Sequence, residues 1–237
     1  MFDFRDHVVV VTGAAGNLGN AVAKSFLQSN GTVCGIDHRK GRMQNLINFS
    51  SDDGKFYPFE RINVTDKAEM KALAENVHSQ IGTIDILVNT VGGFSMGEKV
   101  YELSDKTWQR MFDLNVHSFL STTSAIVPDM IEKNRGKVIS IGSKAALQGS
   151  ASTGAYAAAK GALLRLTESM ADELKKFNIQ VNSVIPSTID TPENRQDMPN
   201  SDFSKWVSPE KIAEVILFLS SPAADAITGA AVPVYGS

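Results

Sequence analysis

HVVVVTGAAGNLG, residues 7–19, decides the fold. The β-branched run over 7–12 has no polar alternation, the pattern of a strand buried on both faces. Glycines follow at 13, 16 and 19, and a helical pattern begins among them and runs over 18–29. A strand that turns through glycines into a helix lets the backbone approach a diphosphate. The helix then offers the anion free N–H groups and a positive dipole end. The turn at 12–19 is therefore a candidate nucleotide site.

The same alternation continues outward along the chain. Strands are expected at 32–37, 55–60, 84–90, 137–142, 179–185 and 231–235. Helices are expected at 66–80, 104–132 and 155–177, with another opening at Ser208-Pro209-Glu210. In the 66–80 helix, Asp66 and Glu69 have the spacing of a capping box. The 104–132 stretch contains Pro128, where a bend is expected. Strand and helix in strict alternation predict an α/β fold, a doubly wound parallel sheet of about seven strands with helices on both faces. No repeat or linker divides the chain, so residues 1–237 read as one domain. The segment 186–207 reads as one irregular stretch, of a length usual for a lid.

Composition narrows the function classes. The 237 residues carry a net charge of −3, which argues against a nucleic-acid surface. No apolar run is long enough to span a membrane, and the N-terminus does not read as a signal peptide. The single cysteine, Cys34, excludes an internal disulfide and fits a cytoplasmic protein. The four histidines share no metal-ligand spacing, so no metal site is expected.

Asp37 closes the second strand, where a carboxylate can accept hydrogen bonds from ribose hydroxyls and repel a 2′-phosphate. NAD is thus the expected cofactor. His38, Arg39 and Lys40 stand beside it and keep NADP open. Tyr156 and Lys160 lie four apart in AYAAAK and share a helix face. Ser143 lies 13 residues before Tyr156, just past the fifth strand.

These residues resemble the short-chain dehydrogenase/reductase family over nearly the whole chain. TGAAGNLG resembles the family pattern TGxxxGxG, with Asn17 at the middle glycine, and implies that Gly13, Asn17, Leu18 and Gly19 hold the diphosphate. Asn63-Val64 resembles the pair beside the adenine, and Asn89 and Gly92 match the segment after the fourth strand. Pro186, Thr188 and Thr191 match the segment that contacts the nicotinamide carboxamide. Asn115, Ser143, Tyr156 and Lys160 resemble the catalytic tetrad. The resemblance implies hydride transfer between the nicotinamide and a carbonyl or alcohol. Tyr156 would be the general acid/base, Ser143 the holder of the substrate oxygen, and Asn115 the holder of a proton-relay water. Lys160 would grip the nicotinamide ribose and lower the phenol pKa by its charge. It also implies a homotetramer or homodimer, paired through the helices at 104–132 and 155–177.

Three segments around this site, Val91–Phe94, Gly142–Gly149 and Thr191–Trp206, resemble the dihydropteridine reductase branch of the family. A quinonoid pterin reductase is therefore an alternative, as is a non-catalytic NAD-binding sensor. The complete tetrad favours a ketone or alcohol as substrate. Phe94, Leu147, Met198, Phe203 and Trp206 are candidates for an apolar pocket.

Overall fold

The computed structural model describes residues 2–50 and 53–236. Seven strands form one parallel sheet: β1 Val8–Thr12, β2 Thr32–Asp37, β3 Phe56–Glu60, β4 Ile84–Asn89, β5 Gly136–Ile141, β6 Ile179–Pro186 and β7 Ala231–Val234. Their order is β3-β2-β1-β4-β5-β6-β7. The helices are α1 Asn17–Gln28, α2 Gln44–Ile47, α3 Lys67–Gln80, α4 Asp105–Phe112, α5 Ser118–Lys133, α6 Gly154–Leu174, α7 Pro192–Asp197 and α8 Pro209–Ser220. This is the doubly wound sheet that the alternating pattern predicts.

The valine run of β1 follows from burial on two sides. Val9 and Val11 join the core beneath α1 and α8, whereas Val8 and Val10 join the core beneath α3, α5 and α6. With a side-chain period of two and both faces covered, every position must be apolar. Phe26 of α1 is fully buried in the first core, a burial that contributes about 1.5–3 kcal/mol. Asp85 of β4 is a buried exception. It accepts the Val8 N–H at 2.9 Å and is bound by Lys133 at 2.5 Å and Arg135 at 2.8 Å. Burial works against its charge, but these donors outweigh it and hold the carboxyl below the usual carboxylate range. The ion cluster ties β4 to β1 and to the end of α5.

Strand order reverses between β1 and β4. Crossovers from these two strands leave to opposite faces, which opens a crevice at their C-terminal ends.

The structure corrects four local expectations. The stretch 104–132 is two helices joined by a π-helical turn, Asp113–His117, and Pro128 lies inside α5. The interruption falls at Asn115, whose side chain is bound by Gly93 from another segment. Periodicity along one helix does not report such a tertiary bond. The expected helix over 155–177 ends at Leu174 and closes with a 3₁₀ turn, Lys175–Phe177.

The segment 186–207 is not one irregular stretch. It holds α7 and a 3₁₀ turn, Phe203–Lys205, and Ile189 bridges Val207 in parallel. Finally, the capping box of α3 is half formed. Asp66 accepts the Ala68 and Glu69 N–H groups at 2.8 and 3.1 Å, but Glu69 accepts the Asn63 N–H at 2.7 Å instead of reaching back to Asp66.

Candidate active site

The glycine-rich turn closes tightly on itself. Gly13 has φ +66°, and a Cβ on Gly19 would lie 2.2 Å from the Gly13 carbonyl oxygen and 2.9 Å from Thr90 Oγ1. Gly16 caps α1 without any side-chain hydrogen bond, so the first N–H groups of the helix have no side-chain acceptor from the cap. Asn17 opens α1, Leu18 follows in its first turn, and Asn17 is not among the positive-φ residues. Its departure from glycine therefore needs no left-handed backbone. Its Nδ2 donates to Glu193 Oε2 of α7 at 2.6 Å.

Asp37 ends β2 with its side chain only 2 % exposed. Its oxygens accept the Ala15 N–H at 3.2 Å, the Arg39 N–H at 2.9 Å, and the Arg39 guanidinium at 3.0 and 3.3 Å. Burial raises its pKa, but the Arg39 bonds and charge outweigh burial and hold the carboxyl below its ordinary value. The partner the structure gives Asp37 is thus its own Arg39, folded back over the strand end.

Asn63 is exposed and its Oδ1 accepts from the Thr65 N–H and hydroxyl, while Val64 is buried. Asn89 accepts the Thr12 hydroxyl at 3.0 Å. Its Nδ2 is buried and has no hydrogen-bond partner among the described residues. Thr90 donates to the Thr12 carbonyl at 2.5 Å, fastening the ends of β1 and β4 together.

The four tetrad candidates converge at the ends of β4 and β5. Lys160 is buried in α6 and donates to the Ile141 carbonyl at 2.7 Å. A side chain on Gly92 would meet Asn115 Oδ1 at 2.9 Å and Lys160 Nζ at 3.2 Å, so the bare Cα of Gly92 is what admits both groups. Burial pulls the Lys160 pKa down to about 8. Burial also pushes the Tyr156 phenol above its ordinary value, and a hydrogen bond with Ser143 offsets this only in part. The expected lowering of the phenol by the lysine charge is absent. Lys160 gives one of its three protons to a carbonyl, and desolvation is the largest influence on both groups.

Ser143 Oγ accepts the Ala145 N–H at 3.2 Å, which leaves its own proton to donate. Asn115 is anchored through both ends of its amide. The amide donates to the Gly93 and Met111 carbonyls at 3.0 and 2.9 Å, and its oxygen accepts the Gly93 N–H at 3.2 Å. The side chain therefore braces the π-helical turn against the Gly92-Gly93 segment, and a water there would be held through acceptor oxygens.

On the substrate side, Phe94 packs edge-on to Tyr156, with ring centroids 4.9 Å apart. The other apolar candidates do not gather there. Leu147 and Met198 are exposed, while Phe203 packs at a tilt against Trp206 and beneath Arg195 within the segment 186–207. Pro186 ends β6, and the Thr188 carbonyl accepts the Val207 N–H. Thr191 Oγ1 caps α7 through the Asn194 N–H at 3.2 Å. A cavity of about 800 Å³ lies between the glycine-rich turn and the segment 186–207. Ala15, Gly16, Asn17, Thr191, Pro192 and Arg195 are among its lining residues and Tyr156 is not.

Sequence reasoning missed Arg39 as the partner of Asp37, and it missed Glu193 altogether. A signal for α7 was available: Thr191-Pro192-Glu193 repeats the cap, proline and acid of Ser208-Pro209-Glu210. Among the described residues no group of three His, Cys, Asp or Glu could hold a metal ion, and no helix is long and apolar enough to cross a membrane.

Comparison with known proteins agrees with this geometry. Residues 7–202 match the family model for short chain dehydrogenase. The chain is 33% identical over 248 residues to a 2-dehydro-3-deoxy-D-gluconate 5-dehydrogenase of Formosa agariphila, covering 100% of this chain and 94% of that protein. It is 29% identical over 238 residues to the 3-oxoacyl-acyl-carrier-protein reductase of Thermotoga maritima, covering 97% and 96%. A short-chain type dehydrogenase/reductase from Mycobacterium ulcerans has the same fold, with a TM-score of 0.92 at 24% identity, covering 98% of this chain and 90% of that one. The chain belongs to the short-chain dehydrogenase family and is an NAD(P)-dependent oxidoreductase.

Proposed function

We propose that this enzyme interconverts a carbonyl and an alcohol, with Tyr156 as the proton donor and acceptor. The observation that carries the reading is the half-buried phenol of Tyr156 hydrogen-bonded with the Ser143 hydroxyl just past the end of β5, on the same helix as the buried Lys160. The nicotinamide supplies or takes the hydride when bound. The residues fit such a group: a backbone cradle that a Cβ on Gly19 would fill, an orphaned Asn89 amide, and a lysine against a bare glycine Cα. In this reading Gly13, Asn17, Leu18 and Gly19 hold the diphosphate, Asn63 and Val64 border the adenine, and Asn89 and Gly92 line the floor. Pro186, Thr188 and Thr191 face the carboxamide. Lys160 holds the nicotinamide ribose, Ser143 holds the substrate oxygen, and Asn115, braced in the π-helical turn, holds the proton-relay water.

Burial suits Tyr156 to donation. A phenol above its ordinary pKa keeps its proton at neutral pH, so carbonyl reduction is the favoured direction there. Oxidation of an alcohol needs the phenolate and should rise with pH. The test is absorbance at the reduced-nicotinamide band with a panel of ketones, alcohols and a quinonoid pterin. Turnover of the pterin alone would favour the dihydropteridine reductase reading. No turnover with any member, despite tight NADH binding, would favour a sensor.

NAD is the proposed cofactor, because Asp37 is a fixed charge at the end of β2. Arg39 must swing off Asp37 for the carboxylate to meet ribose hydroxyls, and once swung it could pair with a 2′-phosphate. We expect kcat/KM to favour NADH over NADPH by about tenfold, or 1.4 kcal/mol. Asp37→Ser is expected to erase that ratio. A native preference for NADPH would mean that Arg39, not Asp37, meets the ribose.

A homotetramer is the proposed assembly, through α4, α5 and α6. Val100, Tyr101, Trp108 and Leu120 are exposed along or beside α4 and α5, more apolar surface than a lone helix pair needs. Light scattering at micromolar concentration is expected to give a multiple of the chain mass, and a monomeric mass would refute it.

A further inference from the structure

The lid reaches the glycine-rich turn at one point. Asn17, the residue that replaces the family's middle glycine, donates to the Glu193 carboxylate at 2.6 Å. The two residues are 176 positions apart in the chain, so the contact is made by the fold and not by local geometry. Glu193 sits in the first turn of α7, directly after the Thr191 cap and Pro192. Its carboxylate therefore lies beside the uncapped first turn of α1, the place where the diphosphate is expected. The cavity between turn and lid is walled there by Lys24 and Arg42, and by Arg195, which is itself paired with Asp190. Arg39 is within electrostatic reach of Glu193 as well.

We infer that Glu193 is a gate on the dinucleotide: its carboxylate occupies the edge of the diphosphate subsite through Asn17 and competes with the diphosphate for it. The inference rests on the cofactor placement proposed above. Two anions at one helix N-terminus repel, and the Asn17 Nδ2 proton that Glu193 takes is withheld from the diphosphate. Binding therefore displaces Glu193 and releases the α7 end of the lid, or else proceeds against its charge. In both cases Glu193 weakens affinity for the diphosphate specifically, and the adenosine half of the ligand does not feel it.

Glu193→Gln separates charge from contact. The glutamine carbonyl still accepts from Asn17, so the lid stays attached while the negative charge is gone. Affinities are measured by calorimetry at low salt with NADH, ADP and adenosine as probes. Glu193→Gln is expected to tighten NADH and ADP by about tenfold, the scale of one exposed charge a few ångströms from the ligand at a dielectric approaching that of water. It is expected to leave adenosine unchanged, and the gain should shrink as salt is added. Asn17→Gly removes the side-chain donor to Glu193 but keeps the backbone N–H proposed to hold the diphosphate, and is expected to give a gain of the same sign. Equal changes for all three probes, or none for any, would overturn the gate and make the contact merely structural. Failure of NADH to bind either protein would overturn the cofactor placement, and the gate with it.

Discussion

Tyr156→Phe is expected to lower kcat by about 10²- to 10⁴-fold, the usual contribution of a positioned general acid, while the Kd for NADH stays within about twofold. The substitution removes one oxygen and keeps the ring. The edge-on contact with Phe94 is made by the ring, and the packing of α6 is carried by Ala155, Ala159 and Leu163, which are buried on their own account. The fold should therefore be unchanged, with the melting temperature as the control. Lys160 keeps its bond to the Ile141 carbonyl, so its proposed grip on the cofactor survives.

The pH profile of the native enzyme adds a second readout. Burial pulls Lys160 down to about 8, so below that pH it is a cation and above it the charge is lost. Carbonyl reduction should be level on the acid side and fall as pH rises through about 8, where Lys160 loses the charge proposed to hold the nicotinamide ribose, while the phenol, held above its ordinary value, keeps its proton. A kcat near normal in Tyr156→Phe would sink the assignment. Lost turnover together with lost NADH binding would show that the residue is structural.

Gly19→Ala is expected to reduce NADH affinity at least a hundredfold and to lower stability by about 1–3 kcal/mol, the range for an atom forced into packed surroundings. The new Cβ would lie 2.2 Å from the Gly13 carbonyl oxygen and 2.8 Å from its carbon. Both are backbone atoms and cannot rotate away. Gly13 is itself held at φ +66° between β1 and the turn, so the only relief is to open the turn. Opening it separates the α1 N-terminus from the end of β1, and the proposed diphosphate cradle is lost. Calorimetry with NADH and a thermal melt measure the two effects. The contrast is Gly41, where a Cβ meets nothing within 4 Å. Substitution there strains only its own left-handed backbone, and NADH affinity should be unmoved. A Gly19→Ala protein with native affinity would mean that the turn does not hold the diphosphate.

The sequence by itself determined the fold. The valine run of β1 can be buried only where helices cover both faces of a sheet, and such a strand followed by a glycine-rich turn and a helix has one architecture. The ends of most elements were legible for the same reason, because caps such as Ser208 and Asp66 act on their own next few residues. The family resemblance grouped Tyr156, Lys160, Ser143 and Asn115 in one site, and the positions of Ser143, Tyr156 and Lys160 follow from the end of β5 and the first turns of α6.

Tertiary structure alone decided what each of these groups touches. Whether Lys160 lowers the Tyr156 phenol depends on how dry the site is and where the ammonium finds an acceptor, and neither is written in a four-residue spacing. Asn115 interrupts its helix because Gly93 binds it from the loop after β4. Arg39 folds onto Asp37, and Glu193 reaches Asn17 across 176 positions. Each of these is a bond between side chains or segments brought together by packing. Hydrophobic period and capping pattern constrain the backbone of one element at a time, so they fix where a residue stands and leave its partner to the fold.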